Sequence, residues 1–158
     1  MNEEGQVDES GAGETVTLTG GCQCGAVRFA AANVSRDGYW CHCRMCQRAV
    51  GNVAAAFINV ARADVSWTSE PVYFASSPIA KRGFCAKCGT PLTFDYPDSN
   101  RMDLCVGALD DPAAVRPTSH FGVETRVPGW VAMDDLPAQR CDDYAPLAAR
   151  WASVENRS

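Results

Sequence analysis

No run in this 158-residue chain approaches the ~20 consecutive apolar residues of a membrane helix, which excludes a helical membrane span. The N-terminus has neither a basic start nor an apolar core segment, so no secretory signal is expected. Basic charge is also short. Lys and Arg number 14 against 19 Asp and Glu, and five of those acids (Glu3, Glu4, Asp8, Glu9 and Glu14) sit in a stretch with no basic residue. The rest of the chain balances at 14 against 14, without the clustered Lys and Arg of a nucleic-acid footprint. Histidine occurs only at His42 and His120, too few for a three-histidine metal centre. The chain has no linker that would divide two domains and no repeat of solenoid length.

Cysteine is what the chain has in plenty. Nine cysteines without a secretory signal point to a reducing, cytoplasmic compartment, where such clusters more often hold metal than form disulfides. The odd count and the Cys-x-Cys spacings, poor geometry for a bridge, weigh the same way. The centre of the sequence is Cys41-His42-Cys43-Arg44-Met45-Cys46. If Cys41 and Cys43 end a strand, alternation puts both sulfurs on one face. A turn through Arg44 and Met45 then brings Cys46 to the same point, making a three-sulfur claw.

Cys22, Cys24, Cys85 and Cys88 add up to the four ligands of a closed zinc site, which would staple the start of the domain to its middle. Gly25 and Gly89 each follow a pair, where the backbone can turn back and aim amides at sulfur. The claw then has three ligands and an open fourth position, the arrangement of a reactive zinc. Two other sortings stay open. The trio can be closed by Cys105, Cys141 or a histidine, or Cys22 and Cys24 can pair with Cys41 and Cys43. His42, between two ligands, faces the other side of a strand and reads as a supporting hydrogen-bond or packing group. His120 reads as a half-buried structural imidazole, Cys105 as a small hydrophobe in an apolar strand, and Cys141 as incidental.

Residues 1–14 are acidic, Gly-rich and poor in large apolar groups, the composition of a disordered tail. Strand-like runs follow at Thr15 to Thr19, Ala26 to Ala32, Gly38 to Cys43, Asn52 to Val60, Val65 to Thr68 and Val72 to Phe74. Lys81 to Phe84 and Pro91 to Tyr96 read as a hairpin with a metal knuckle at its tip, and Met102 to Leu109 and Arg116 to Val123 as the last strands. Helix is expected only over Arg44 to Val50, stopped by Gly51, and near Ala145 to Trp151. The fold class is therefore mainly β or a β-rich α+β.

Three thiolates on Zn²⁺ leave a centre of net −1, a weaker Lewis acid than a three-histidine site and better suited to an incoming thiol than to hydrolysis. Zinc lowers a thiol's pKa and keeps its sulfur ionised for attack on an electrophile. A small thiol bearing carboxylates needs positive groups nearby, and Arg44, Arg48, Lys81 and Arg82 are the candidates.

Four segments together carry a resemblance: Gly20-Gly21-Cys22-Gln23-Cys24-Gly25, Cys41 to Arg48, Arg82-Gly83-Phe84-Cys85-Ala86-Lys87-Cys88-Gly89, and Val106 to Pro112. In that order they resemble, across roughly residues 15–137, the glutathione-dependent formaldehyde-activating enzyme family, which includes centromere protein V-like proteins; the resemblance implies a zinc domain over 15–137 and a C-terminal extension over 138–158. The resemblance implies a β-tent of packed antiparallel sheets, similar at fold level to a small Rab-binding exchange-factor-like zinc protein and the methionine sulfoxide reductase B group. It implies a structural zinc on Cys22, Cys24, Cys85 and Cys88 and a catalytic zinc on Cys41, Cys43 and Cys46. It implies condensation of glutathione with formaldehyde to S-hydroxymethylglutathione, a carbon–sulfur lyase activity on a small-molecule thiol and aldehyde. The segment Pro117 to His120 and Trp130 also resemble the family's later part, without a role. The alternatives are a non-catalytic, zinc-stabilised binding or scaffold module, and a thiol redox enzyme using Cys105 or Cys141.

Overall fold

The computed structural model describes residues 14–130 and 134–155, so the acidic tail lies, but for its last residue, outside the described residues. Two sheets form the body. The smaller has the order β1-β2-β5, from β1 (Val16–Gly21), β2 (Arg28–Val34) and β5 (Val65–Trp67). The larger joins β3 (Asp37–Cys41), β4 (Ala55–Ala61), β6 (Val72–Ser77), β7 (Ala80–Phe84), β8 (Pro91–Asp95), β9 (Arg101–Cys105), β10 (Arg116–Phe121) and β11 (Ala138–Gln139). Its order is β11-β10-β3-β4-β9-β8-β7-β6. Pairing is antiparallel except at one edge, where β10 runs parallel to both β3 and β11.

Alternation along β4 and β9 gives the large sheet two unlike faces. Ile58, Val60, Met102 and Leu104 lie on one, in a buried cluster with Leu18, Phe29, Ala31 and Val34 of the small sheet. Register puts Tyr39 opposite Phe57, Phe57 opposite Cys105, and Asn59 opposite Asp103 on the other face. Cys41, two residues past Tyr39, shares that face. The two sheets are also tied by a backbone bridge from Gly20 to Leu109 and by a bidentate ion pair of Arg28 with Asp110. The Asp110 carboxyl is held down at about 2 by Arg28 first and by the Thr19 hydroxyl.

The expected strand Met102 to Leu109 is cut short. It ends at Cys105 and tightens into a 3₁₀ turn at Val106–Ala108, which swings Leu109 and Asp110 onto the small sheet. Helix α1 (Arg44–Val50) is built from good helix formers. Its first turn is capped by the Cys43 sulfur, which accepts from the Cys46 amide, and it ends at Gly51 in the left-handed conformation. Helix α2 (Ala145–Glu155) runs past the expected end at Trp151. No helix among the described residues is long and apolar enough to cross a membrane.

Candidate metal centres and their surroundings

Cys22 and Cys24 lie in the β1–β2 connection, Cys85 and Cys88 in the β7–β8 connection. These hairpins belong to different sheets, yet all four sulfurs lie within 4.8 Å of one another. The turns are near copies. Gly25 and Gly89 both take positive φ, 78° and 75°, and their amides close onto the carbonyls of Cys22 and Cys85. The Val27 amide then donates to the Cys22 sulfur at 3.2 Å, and the Thr90 hydroxyl sits 3.1 Å from the Cys88 sulfur. That hydroxyl and the Thr90 and Cys24 amides bring Cys88 down to about 5.

Cys41, Cys43 and Cys46 form the second cluster, also within 4.8 Å. A tetrahedral zinc with Zn–S of ~2.3 Å sets its sulfurs about 3.8 Å apart. The Cys22–Cys24, Cys24–Cys85 and Cys41–Cys43 separations of 3.5, 3.7 and 3.6 Å fit that edge. The donors of both clusters therefore suit a thiophilic ion such as zinc. The first has four ligand atoms. The second has three, and among the described residues no histidine, carboxylate or further cysteine joins the set.

The claw is held from three sides. Arg82, 5 % exposed, donates from Nη2 to the Cys46 sulfur at 3.2 Å and lies 4.7 Å over the Phe94 ring. The Cys41 and Cys46 thiols, the Cys46 amide and Arg82 bring Cys43 down to about 3. Cys41 is pushed up by its neighbours and burial. Cys46 stands at about 11, because Cys43 and burial outweigh the lowering effect of Cys41. Of the other basic candidates, Arg44 and Arg48 are on the exposed side of α1, and Lys81 pairs with Asp95 at 3.5 Å.

His42 points away from the claw into a buried chain. Its Nε2 is 2.8 Å from His120 Nδ1, and His120 Nε2 is 2.9 Å from the Asp134 carboxylate. The carboxylate assigns a proton to His120 Nε2, so His120 Nδ1 accepts from His42 Nε2–H. His42 Nδ1 is then a bare acceptor, buried and without a partner among the described residues. Burial first, then His120 and Arg126, lowers His42 to about 4, so the imidazole is neutral. The His42 carbonyl accepts from Gln47 Nε2 and the Thr125 hydroxyl, at 2.7 and 2.8 Å. His120 is fully buried rather than half-buried, since β10 is an inner strand with β11 on its far side. Cys105 is buried in β9 among apolar neighbours.

Cys141 is not remote from the site. A Cβ on Gly122 would lie 3.1 Å from its sulfur and 2.9 Å from the Cys43 nitrogen. Gly122 also has φ of 67°. Gly122→Ala therefore meets backbone in a conformation that costs an alanine roughly 1 kcal/mol. The expected result is about a tenfold loss of zinc affinity at the claw with the tetrad's zinc retained, read by chelator competition. The contacts of Gly122, Thr125 and Asp134, and that of Gln47 with Thr125, have no sign in the sequence, because they depend on the parallel docking of β10 beside β3.

Comparison with known proteins adds three findings. The chain is 34 % identical over 127 residues to an uncharacterized lyase of Schizosaccharomyces pombe, covering 80 % of this chain and 84 % of that one. A crystal structure of a Rhodobacter sphaeroides protein superposes with a TM-score of 0.51 at 22 % identity, covering 64 % of this chain and 100 % of that one, which shows a shared fold. Residues 17–125 match the family model of the glutathione-dependent formaldehyde-activating enzyme, a span that takes in both cysteine clusters. This chain belongs to the glutathione-dependent formaldehyde-activating enzyme family.

Proposed function

We propose that the protein is a zinc-dependent carbon–sulfur lyase-type enzyme joining a glutathione-like thiol to formaldehyde or a related aldehyde. One observation carries this reading: three convergent thiols with no fourth protein ligand among the described residues, in a chain that also holds a complete set of four. Cys22, Cys24, Cys85 and Cys88 would hold a structural zinc, and Cys41, Cys43 and Cys46 the working one. When bound, that zinc supplies a positive centre that lowers an incoming thiol's pKa.

The chain's own residues do the rest. Cys41 and Cys46, buried on β3 and α1, fix two sulfurs, and Cys43 is half-buried beside them. Arg82 offsets the negative charge of the thiolates. The Asp134–His120–His42 chain holds the strand end that carries Cys41 and Cys43. In the reaction, the thiol's sulfur attacks the carbonyl carbon and the C–S bond forms as the C=O π bond opens. The thiol's proton ends on the new hydroxyl oxygen, so no oxidant or reductant is needed.

The test is adduct formation from glutathione and carbon-13 formaldehyde, followed by NMR with protein loaded with two zincs per chain. Acceleration over the spontaneous reaction, lost in Cys43→Ser, is expected. A rate equal to the spontaneous one would leave the scaffold reading in its place.

A further inference from the structure

On the face of the large sheet that carries Cys41 lies an open cavity of about 630 Å³. That is the size of a small organic ligand, and far more than a one-carbon aldehyde needs. Tyr39 on its floor is two residues from Cys41, about 7 Å along the same side of β3. The Phe57 ring packs between Tyr39 and Phe94, with centroids 5.7 and 6.3 Å away. Arg82 covers Phe94 and reaches Cys46, so the aromatic floor is continuous with the claw. The outer wall comes from Pro137, Ala138, Gln139, Tyr144 and Arg150, all beyond the family match at 17–125. Arg150 is seated 4.0 Å over the Tyr96 ring and bonds to Asp98 at 3.2 Å, and Tyr144 meets Phe121 edge-on.

Two opposite charges line the cavity with an amide between them, Arg101 exposed and Asp103 buried. Arg101 donates from Nε to Asn59 Oδ1 and from Nη2 to the Asn59 carbonyl, and Asn59 Nδ2 donates to Asp103 Oδ1 at 2.9 Å. Arg101 and Asp103 alternate on β9 and face the same way. Asp103 is 7 % exposed. Burial raises its carboxyl to about 6, against the opposing bonds from Asn59 and the Tyr39 hydroxyl. Arg101 is the cation that acts on Asp103, through Asn59 rather than by direct contact. A buried carboxyl whose cation stands one amide away is incompletely compensated, and a cavity is where such groups serve a ligand.

We propose that this cavity is the recognition site for the thiol and takes its zwitterionic amino-acid end, the carboxylate set against Arg101 and the ammonium group against Asp103. The ligand's identity as a thiol rests on the proposed function. The segment 137–150 forms the outer wall, so selectivity for the thiol lies partly in a stretch outside the family match. An uncharged thiol of similar size has nothing to offer either Arg101 or Asp103 and is rejected.

The probe is S-methylglutathione, whose capped sulfur cannot ionise, titrated calorimetrically into the zinc-loaded full chain beside its deamino analogue. Loss of the amino group is expected to weaken binding to the wild type roughly tenfold or more. In Asp103→Asn the two ligands should bind alike, and in Arg101→Gln the matching loss should appear for the γ-glutamyl carboxamide. Equal binding of the analogues to the wild type overturns the proposal without needing any variant to fold. So does discrimination that survives in a folded Asp103→Asn. Discrimination without acceleration of the formaldehyde reaction would keep the cavity and sink the enzyme reading; acceleration without discrimination would do the reverse.

Discussion

Cys88→Ser is expected to be recovered unfolded or insoluble, while Cys43→Ser stays folded and binds one zinc where the wild type binds two. The asymmetry follows from where the clusters sit. Cys88 belongs to a set drawn from two hairpins of two different sheets, sixty-odd residues apart in sequence. Closing that set on a metal yields apparent binding free energies of about 10–16 kcal/mol in small structural zinc sites. A whole domain's stability is about 5–15 kcal/mol, so losing this metal removes the greater share. Besides the metal, the sheets share the buried apolar cluster, the Gly20–Leu109 bridge and the Arg28–Asp110 pair. Both Arg28 and Asp110 are partly in water, where ion pairs contribute little. The claw, by contrast, comes from six consecutive residues that run from the end of β3, pinned by β4 and β10 on either side, into the first turn of α1. Metal analysis and near-UV circular dichroism on both variants decide the matter. A folded, soluble Cys88→Ser with one zinc would overturn the assignment of the tetrad as the staple.

The parts legible in the sequence were those whose determinants are local. Cys41 at the strand end, the turn through Arg44 and Met45, and Gly51 ending the helix are all set within a few residues, although the strand expected to reach Cys43 stops at Cys41 and Cys43, still extended, caps the helix. Counting ligands offered the pairing of the Cys-x-Cys-Gly and Cys-x-x-Cys-Gly knuckles beside other sortings, and the convergence of Cys22, Cys24, Cys85 and Cys88 selects it. What could not be read was set at long range. That His120 faces His42 depends on β10 lying parallel to β3, with His120 opposite Trp40. No local periodicity encodes a partner strand some eighty residues away. The strand expected over Met102 to Leu109 broke at Cys105 because Asp110 answers Arg28, again a contact across the fold. Asn59, Arg101 and Asp103 read individually as ordinary polar positions of exposed strand faces. Only the register of β4 with β9 lines them up.

Arg82→Met is expected to leave the protein folded with its first zinc bound, and to cost roughly 10–100-fold in zinc affinity at the claw and in the proposed reaction. Removing the buried guanidinium also removes its own desolvation cost, and a methionine can still pack on Phe94. The Cys46 sulfur, however, loses its one charged donor. Three thiolates around a divalent cation carry a net negative charge in a site where Cys41 and Cys46 are almost fully buried. An ionised thiol would add a further negative charge, so the guanidinium matters most when the fourth sulfur arrives. Binding of a thiol should thus suffer more than binding of the metal, a difference that a merely structural Arg82 would not produce. Cobalt substitution gives the readout, since the sulfur-to-metal charge-transfer band should move when Cys46 loses its hydrogen bond. Arg82→Lys should fall nearer to Met than to wild type, because an ammonium cannot both stack on Phe94 as a plane and donate sideways to Cys46. A lysine variant with wild-type affinity and rate would show that charge alone suffices and that the planar fork is dispensable.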